Sequence, residues 1–368
     1  MRPLLIFLWA IAASAGWLED GIKALDEQRY PDAAAIFEKA VAADAKDYVA
    51  HFHLALTESM LGQNDKAIAG YERTLALKPD VAEAQMNLGI LLAASNPARA
   101  QELLQTALAK SPESAGGLLA LGRLLMAQGK LDEAEPMLTK AAKLEPRYND
   151  AVLELANEYE KVKNWDAAQR LYEPQAANPE VSERLGVVFL AAGKPELAIA
   201  PLERAVKGAP SAANQYALAI AYLRSKQVDK ALPQLALASA AEPTNLELRL
   251  AYGRVLRDQR KFAPAAEQFA AVTKLKADSK DGWSELAGML LMLENYPQAL
   301  AAYDRLEALG EQSAGLNFFK AICQDRMQLK KEALASYERF LTLSSGANPD
   351  QEFQARQRAQ LLKRELKR

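Results

Sequence analysis

The chain has 368 residues, half of them hydrophobic, and a formal net charge of only -2. Glycine and proline occur at ordinary levels, which excludes a collagen-like chain and argues against disorder, and the near-neutral charge gives no sign of the basic surface that nucleic-acid-binding proteins use. The single cysteine excludes a disulfide framework and a cysteine-based zinc site.

The N-terminal segment is typical of a secretory signal peptide. A positive start is followed by an apolar run over residues 4–11 and by Ala13-Ser14-Ala15, a small-x-small cleavage pattern. We therefore predict that residues 1–15 are removed after Ala15 and that the mature chain is exported from a bacterial cytoplasm, into the periplasm or out of the cell. The alternative is an uncleaved anchor, since the apolar run could extend through Trp17 and Leu18.

A small residue recurs along the rest of the chain at a nearly constant spacing. The interval is 33 or 34 residues everywhere except between Ala156 and Gly186, where it is 30. An alanine follows about twelve residues after each small residue, and a bulky residue comes four positions later. The small residues are Gly21, Ala55, Gly89, Gly122, Ala156, Gly186, Ala219, Gly253, Ala287 and Ala321. The bulky residues are Phe37, Tyr71, Leu104, Leu138, Tyr172, Leu202, Leu235, Phe269, Tyr303 and Tyr337.

This spacing predicts pairs of antiparallel helices. Two helices approach closely only where their side chains are small, so the recurring glycines and alanines mark the contact between the helices of a pair. We expect the bulky residues to fill the gaps between neighbouring pairs, and prolines such as Pro79, Pro112 and Pro146 to end the second helix. Each pair then buries one face on the next, and stacking gives a continuous core.

The pattern resembles the tetratricopeptide repeat (TPR) family over roughly residues 16–345. Trp17 and Trp283 occupy the tryptophan place that the family prefers early in the first helix. The glycines at the turn between the two helices are Gly62, Gly129 and Gly193. The resemblance implies an all-α fold, a right-handed superhelical solenoid of about ten helix-hairpin repeats, with a C-terminal capping helix. It also implies a protein that holds other proteins.

The fifth repeat departs from the pattern. Residues 173–179 contain two prolines and replace most of its second helix, and a proline inside a helix costs about 3 kcal/mol or more. We predict an irregular break at residues 174–182, between repeats one to five (16–173) and repeats six to ten (183–347). The break is either a mobile hinge or irregular stacking without motion.

Residues 348–368 are predicted to form one more helix that caps the array, with Asn348 or Asp350 at its start. The residues expected to face the last repeat are Phe353, Ala359, Leu361, Leu362 and Leu366. The segment is basic, and a basic amphipathic helix can bind anionic lipid. Because we expect its apolar face to contact the last repeat, membrane contact through this helix is the less favoured interpretation.

The sequence holds no constellation of catalytic groups or metal ligands, so we predict a non-enzyme that needs no metal or cofactor. The two histidines, His51 and His53, are two residues apart on a predicted helix and point to nearly opposite sides, so they cannot share a metal. We expect His51 to be packed inside and His53 to lie at the surface. Cys323 is expected to be a buried, unreactive thiol.

In the TPR family the first helices line a concave surface, and the resemblance implies a partner-binding groove here. Its residues in the first half are Phe52, Leu56, Met86, Ile90, Leu119, Arg123, Met126, Leu153 and Asn157. Its residues in the second half are Tyr216, Ile220, Leu223, Arg224, Leu250, Arg254, Arg257, Leu291, Met292, Phe318 and Ile322. This lining is more apolar than a solvated face requires, so we expect it to bind an extended peptide or an amphipathic helix.

Two classes of function remain open. The first is a scaffold in the cell envelope or outside the cell that gathers partner proteins. The second is a binding module for an exported polysaccharide or another non-protein polymer, for which Phe52, Tyr216 and Phe318 are the aromatic candidates. These aromatics are far apart in the sequence, so we favour protein partners. Nucleic acid is not expected, and the sequence leaves the identity of the partner open.

Overall fold

The computed structural model describes residues 16–367, and every regular element in this part of the chain is a helix. The predicted signal peptide, residues 1–15, lies outside the described residues. The chain divides into two compact units, with the boundary between Tyr172 and Glu173. Among the described helices, none combines the length and the apolar character needed to cross a membrane.

The first unit is a succession of helix pairs at the positions that the sequence period predicts, and the all-α fold is confirmed. Odd-numbered helices are the first helices of the pairs, and even-numbered helices are the second. The helices are α1 (16–26), α2 (Tyr30–Ala43), α3 (Tyr48–Met60), α4 (Asn64–Leu77), α5 (Ala82–Leu92), α6 (Pro97–Lys110), α7 (Ala115–Ala127), α8 (Leu131–Leu144), α9 (Asn149–Lys161) and α10 (Trp165–Tyr172).

The second unit continues the same alternation and ends with an additional helix. It opens with a short 3-10 helix, Glu173–Gln175. Its α-helices are α11 (Pro179–Ala191), α12 (Pro195–Gly208), α13 (Ala212–Arg224), α14 (Val228–Ala241), α15 (Leu246–Asp258), α16 (Phe262–Leu275), α17 (Lys280–Met292), α18 (Tyr296–Ala308), α19 (Ala314–Arg326), α20 (Lys330–Ser344) and α21 (Pro349–Glu365).

Most first helices begin at a side-chain cap. At the start of α3, for example, the side chain of Asp47 accepts hydrogen bonds from the backbone N–H groups of Val49 and Ala50. Such a cap satisfies N–H groups that have no partner inside the helix. The corresponding caps of α7, α11, α13, α15, α17 and α19 are Ser114, Asn178, Ser211, Asn245, Ser279 and Ser313.

In all described pairs except α5–α6, the turn inside the pair places one residue in the left-handed region of backbone conformation. Gly62, Gly129 and Gly193, the predicted turn glycines, have φ angles of 71°, 75° and 72°. The equivalent residues of other pairs are Gln28, Lys163, Lys226, Arg260, Glu294 and Gln328, all with positive φ. This conformation costs a non-glycine residue about 1 to 2 kcal/mol, so the packing of the pairs imposes the turn even where the local sequence does not favour it.

The bulky residue of each repeat lies against the small residue of its own pair. A Cβ placed on Gly21 would lie 2.5 Å from the Phe37 ring, and one placed on Gly253 would lie 2.6 Å from the ring of Phe269. The space left by the missing side chain of the glycine is where the ring fits, so the contact closes the pair from within. The bulky residues also reach the next pair, as the sequence analysis expects: the ring of Phe37 stacks on His53 of α3, with centroids 5.4 Å apart, and that of Tyr303 stacks on Phe319 of α19 at 6.2 Å.

Side chains from both helices of a pair fix the loop that precedes the first helix. In the α3–α4 pair, the carbonyl oxygen of Ala45 lies 3.2 Å from His51 Nε2 and accepts a hydrogen bond from Arg73 Nη2 at 3.4 Å. The carbonyls of Ala176 and Ala277 are held in the same way, by Ser182 with Arg204 and by Trp283 with Arg305. The tryptophan place noted in the sequence is therefore a hydrogen-bond donor position in this chain.

The backbone is irregular next to the boundary between the units. Helix α10 has eight residues, whereas the other second helices have 13 to 15. The 3-10 helix that follows contains Pro174, which cannot donate to a helical hydrogen bond. Since Asn178 caps α11 at Pro179, the irregular stretch covers residues 173–178, and the predicted start of repeat six at residue 183 is corrected by four residues. A mobile hinge here stays a prediction.

The C-terminal helix α21 contacts the last pair mainly through small side chains. Ala355, Ala359 and Leu362 are buried in a cluster with residues of α19 and α20. Phe353, Leu361 and Leu366 are instead exposed by 65%, 46% and 39%, so their predicted inward orientation is wrong. The inward side of the helix is the side that carries the alanines, because these allow α21 to approach α20 closely.

Candidate partner-binding surface

The predicted groove residues of the first unit lie on the first helices, spaced so that they share one helix face. Ile90 and Arg123 are exposed. The half-buried residues are Phe52, Leu56, Met86, Leu119, Met126, Leu153 and Asn157. The first unit therefore presents a partly open, mostly apolar face on α3, α5, α7 and α9.

An apolar groove of about 570 Å³ lies between α5 and α7, and we call it the α5–α7 groove. Ile90, which is 45% exposed, and Leu119 line it. Small residues open the space between them, namely Ala93, Ala94, Gly116, Ala120 and Ala127. The sequence analysis missed these small residues, whose signal is the lack of a bulky side chain at positions where other repeats have one. The groove can accept a bulky apolar side chain of a partner.

Arg123 lines the α5–α7 groove and is its charged group. Its Nη2 donates to the two carboxylate oxygens of Glu154 on α9, at 3.3 and 3.4 Å. Both side chains are about half exposed, at 51% and 49%, and an exposed ion pair of this kind contributes little free energy. A carboxylate on a partner can therefore replace Glu154 at small cost.

An aromatic cluster surrounds Phe52 at the start of this face. The ring of His53 stacks on Phe37, with centroids 5.4 Å apart, and meets Phe52 edge-on at 5.3 Å. Burial lowers the pKa of His53, so the imidazole is neutral at neutral pH. Both histidines are half-buried, so neither expected placement holds. His51 turns toward the preceding loop, and His53 lies between the two phenylalanine rings.

Asn157 has an internal partner. The hydroxyl of Tyr172 donates to its Oδ1 at 2.6 Å, which ties the first helix α9 to the second helix α10 of the same pair. Asn157 thus holds its own repeat together, and its carboxamide oxygen is already used when a partner arrives.

The predicted groove arginines of the second unit are also paired within the chain. Arg254 Nε donates to Glu285 Oε1 at 2.9 Å, and Arg257 Nη1 donates to Glu285 Oε2 at 2.6 Å. Arg224 Nη1 donates to the backbone carbonyl of Leu190 at 3.0 Å. These bonds join first helices of neighbouring repeats, so the arginines hold the repeats together before they meet any partner.

Two of the predicted apolar groove residues of the second unit, Leu291 and Met292, border a cavity of about 550 Å³ between α17 and α19. Leu291, Phe319 and Met292, which is 52% exposed, line it. The cavity exists because Ser284 and Gly288 stand where most other repeats have large side chains. The half-buried members of the predicted set are Tyr216, Ile220, Leu223, Leu250, Leu291 and Ile322.

Phe318 and Ile322 border a cavity of about 580 Å³ between α19 and α21, but Phe318 itself is buried. Only 4% of the residue is exposed, and its ring centroid lies 4.9 Å from that of Phe340. It belongs to the cluster that α21 covers. The ring of Phe318 is therefore used mainly inside the chain, although it borders the space between α19 and α21.

The described residues contain no group of three or more histidine, cysteine, aspartate or glutamate side chains that could hold a metal ion. Cys323 is buried, as expected. Burial raises the pKa of its thiol to about 11, so the thiol stays protonated at neutral pH and is a poor nucleophile.

Comparison with protein families matches nearly the same part of the chain as the repeat pattern. One family model described as tetratricopeptide repeat matches residues 24–88, 91–138 and 125–184. A second model with the same description matches residues 183–247, 216–281 and 250–314. No curated protein matches the chain by sequence.

Several solved structures are similar to this chain. The MamA protein is 18% identical, with 45% of this chain and 94% of that chain covered and a TM-score of 0.41. PilW, a type IV pilus biogenesis factor, is 21% identical, with 64% and 96% covered and a TM-score of 0.34. Yeast Tom70 is 14% identical, with 98% and 96% covered and a TM-score of 0.36. At such low scores, no conclusion about function follows from these structures.

Proposed function

We propose that this chain, which belongs to the tetratricopeptide repeat family, is a non-catalytic scaffold that binds peptide or helical segments of other proteins on its first helices. The observation that carries the proposal is the α5–α7 groove, where Ile90 is 45% exposed beside the half-buried Leu119. Exposed apolar surface of this kind is costly for a soluble domain unless something covers it. We also propose that the protein works in the cell envelope or outside the cell, on the basis of residues 1–15.

The groove favours a partner segment with a bulky apolar side chain and a nearby carboxylate. The apolar side chain enters the space left by the alanines between α5 and α7. The carboxylate replaces Glu154 at Arg123, where the existing bonds are long and exposed. An amphipathic helix presents such groups three or four residues apart, and an extended peptide presents them two apart.

A polysaccharide or other polymer is the weaker proposal. Sugar sites use exposed aromatic rings, and of the three candidate rings Phe318 is buried. Phe52 is half-buried against His53 and Tyr71. Tyr216 alone remains outside such an aromatic cluster, and it is half-buried.

The test is affinity capture with residues 16–368 as bait, offered to an envelope and culture-fluid extract and compared with two variants. Leu119→Glu places a charge in the α5–α7 groove, and we expect it to lose the partner, with at least about a tenfold fall in affinity for the purified pair. Leu237→Glu is the matched control, because Leu237 is 51% exposed on the second helix α14. Thermal unfolding of the two variants checks that both are folded.

Three outcomes contradict the proposal. Equal retention by all three baits would place the binding site elsewhere on the chain. Loss of the partner from the Leu237→Glu control as well would mean that the introduced charge weakens binding wherever it is placed. Retention of no protein, together with specific binding of the bait to immobilised glycans, would favour the polymer.

A further inference from the structure

The helix α21 exposes apolar side chains that the repeats do not use. Phe353 and Leu361 are 65% and 46% exposed, although the last helix of a repeat array usually has a polar outer side. The two residues are eight positions apart, roughly two helical turns, so they lie on one side of the helix. The opposite side holds the buried Ala355, Ala359 and Leu362.

Positive charge surrounds these two side chains. Arg364 and Lys367 are exposed and form no ion pair with any described residue. Arg364 is three residues beyond Leu361, which places it on the same side of the helix. Arg356, although bonded to Glu352, is still 64% exposed. Asp350 at the start of the helix and Glu365, four residues beyond Leu361, are the acidic exceptions, and Glu365 is paired with Lys330 and Arg358. The outward side of α21 therefore carries two apolar side chains with more arginine and lysine than acidic residues around them.

We propose that this side of α21 docks the protein on an anionic lipid surface. Phe353 and Leu361 enter the boundary between headgroups and acyl chains, while Arg356, Arg364 and Lys367 face the lipid phosphates. Apolar residues flanked by arginine and lysine on one helix side are the features of helices that lie in the membrane interface. The inference goes beyond the proposed scaffold function, since it does not involve the first-helix surface.

Charge selects the occupant of this surface. A helix that presents unpaired cations beside apolar anchors attracts a phosphate-rich plane, and each lysine or arginine near such a plane raises binding by about fivefold. The outward side of α21 is the convex surface of a single helix and forms no groove. It therefore fits the flat surface of a membrane better than it fits a folded protein segment. The sequence analysis disfavoured lipid because it turned Phe353 and Leu361 toward the last repeat, and the structure turns both outward.

The experiment is sedimentation of residues 16–368 with vesicles, and omission of residues 1–15 removes the apolar segment that would bind lipid by itself. We expect binding to vesicles of phosphatidylglycerol with phosphatidylcholine and little binding to phosphatidylcholine alone. Replacing both Phe353 and Leu361 with alanine should lower the partition coefficient by at least about tenfold. The matched control replaces Leu237 and Leu275, which are 51% and 47% exposed on α14 and α16, with alanine in the same way. It should leave binding unchanged.

Charge variants and an acidic polymer complete the test. Arg364→Gln with Lys367→Gln should weaken binding to the anionic vesicles, and so should high salt. Equal binding to both kinds of vesicle, binding that survives the loss of Phe353 and Leu361, or no vesicle binding would overturn the proposal. Retention on immobilised poly-glutamate that requires Phe353 and Leu361, without vesicle binding, would assign this side of α21 to an acidic protein and would equally overturn it.

Discussion

Two glycines on first helices of the second unit have opposite surroundings. A Cβ on Gly253 would lie 2.6 Å from the ring of Phe269, which is completely buried. A Cβ on Gly288 would have no neighbour within 4 Å, because Gly288 borders the open cavity between α17 and α19. The first glycine is required by the contact inside a helix pair, whereas the second leaves open space between two first helices.

Alanine at these two positions should therefore have opposite effects. We expect Gly253→Ala to lower the free energy of unfolding by about 1 to 3 kcal/mol, because the new methyl group must displace the Phe269 ring. We expect Gly288→Ala to raise it by about 1 kcal/mol, since alanine favours the helix and meets nothing. Urea unfolding followed by circular dichroism measures both. A destabilised Gly288→Ala would show that the open space at this position is occupied.

Helix α21 is fastened by a buried carboxylate. Glu352 is 4% exposed and accepts hydrogen bonds from Ser344 Oγ and from the backbone N–H of Gly346, both at 2.6 Å. Arg356 donates to its other oxygen at 2.9 Å. The bond from Ser344 is the largest cause that lowers the pKa of Glu352 below its ordinary value of 4.5. The carboxylate thus ties the end of α20 and the following loop to α21.

Acid should release α21. A glutamate whose pKa is lowered on folding contributes stability above its unfolded pKa, and this contribution is lost as the pH falls through the folded pKa. The protection factors of the α21 amides, which are the intrinsic exchange rates at each pH divided by the observed rates, should therefore be high near neutral pH and fall below about pH 4.5. Glu352→Gln should exchange faster at neutral pH and lose much of this acid response. Unchanged protection in Glu352→Gln would mean that the apolar contacts alone hold the helix.

The same helix shows where a hydrophobic pattern fails as a predictor. The pattern correctly placed Ala359 and Leu362 inside, but it also placed Phe353 there and gave no sign of the buried Glu352. A pattern ranks side chains by their apolar character, whereas the inward side of α21 is selected by close approach to α20 and by the bonds that Glu352 makes. Neither the approach nor the bonds can be read from the helix by itself.

At the scale of the whole chain, the repeat could be predicted because every helix pair packs in the same way, with small and bulky residues at the same positions. The candidate binding surface was harder to predict. The α5–α7 groove is made by side chains that are absent, such as those of Ala94 and Gly116, and a pattern search looks for those that are present. The arginines have partners such as Glu285, about 30 residues away, which only the stacking of repeats brings within reach.

The start of the mature chain can be argued from the packing of α1. Leu18, Gly21 and Ala24 of this helix contact α2, where Phe37 lies over Gly21. Cleavage after Ala15 would leave all of these contacts intact, since the first of them is made by Leu18. We therefore expect exported protein to begin at Gly16, which intact-mass measurement of protein from the periplasm or culture fluid determines.

A variant with glutamine in place of Ala13 and Ala15 provides the control, because the cleavage site requires small side chains at these positions. This variant should keep residues 1–15 and sediment with the membrane fraction. Wild-type protein that keeps the segment and sediments in the same way would establish the anchor instead. The first-helix surface would then lie at a membrane. Residues 1–15 would be the first contact of the protein with lipid, and α21 would be the second.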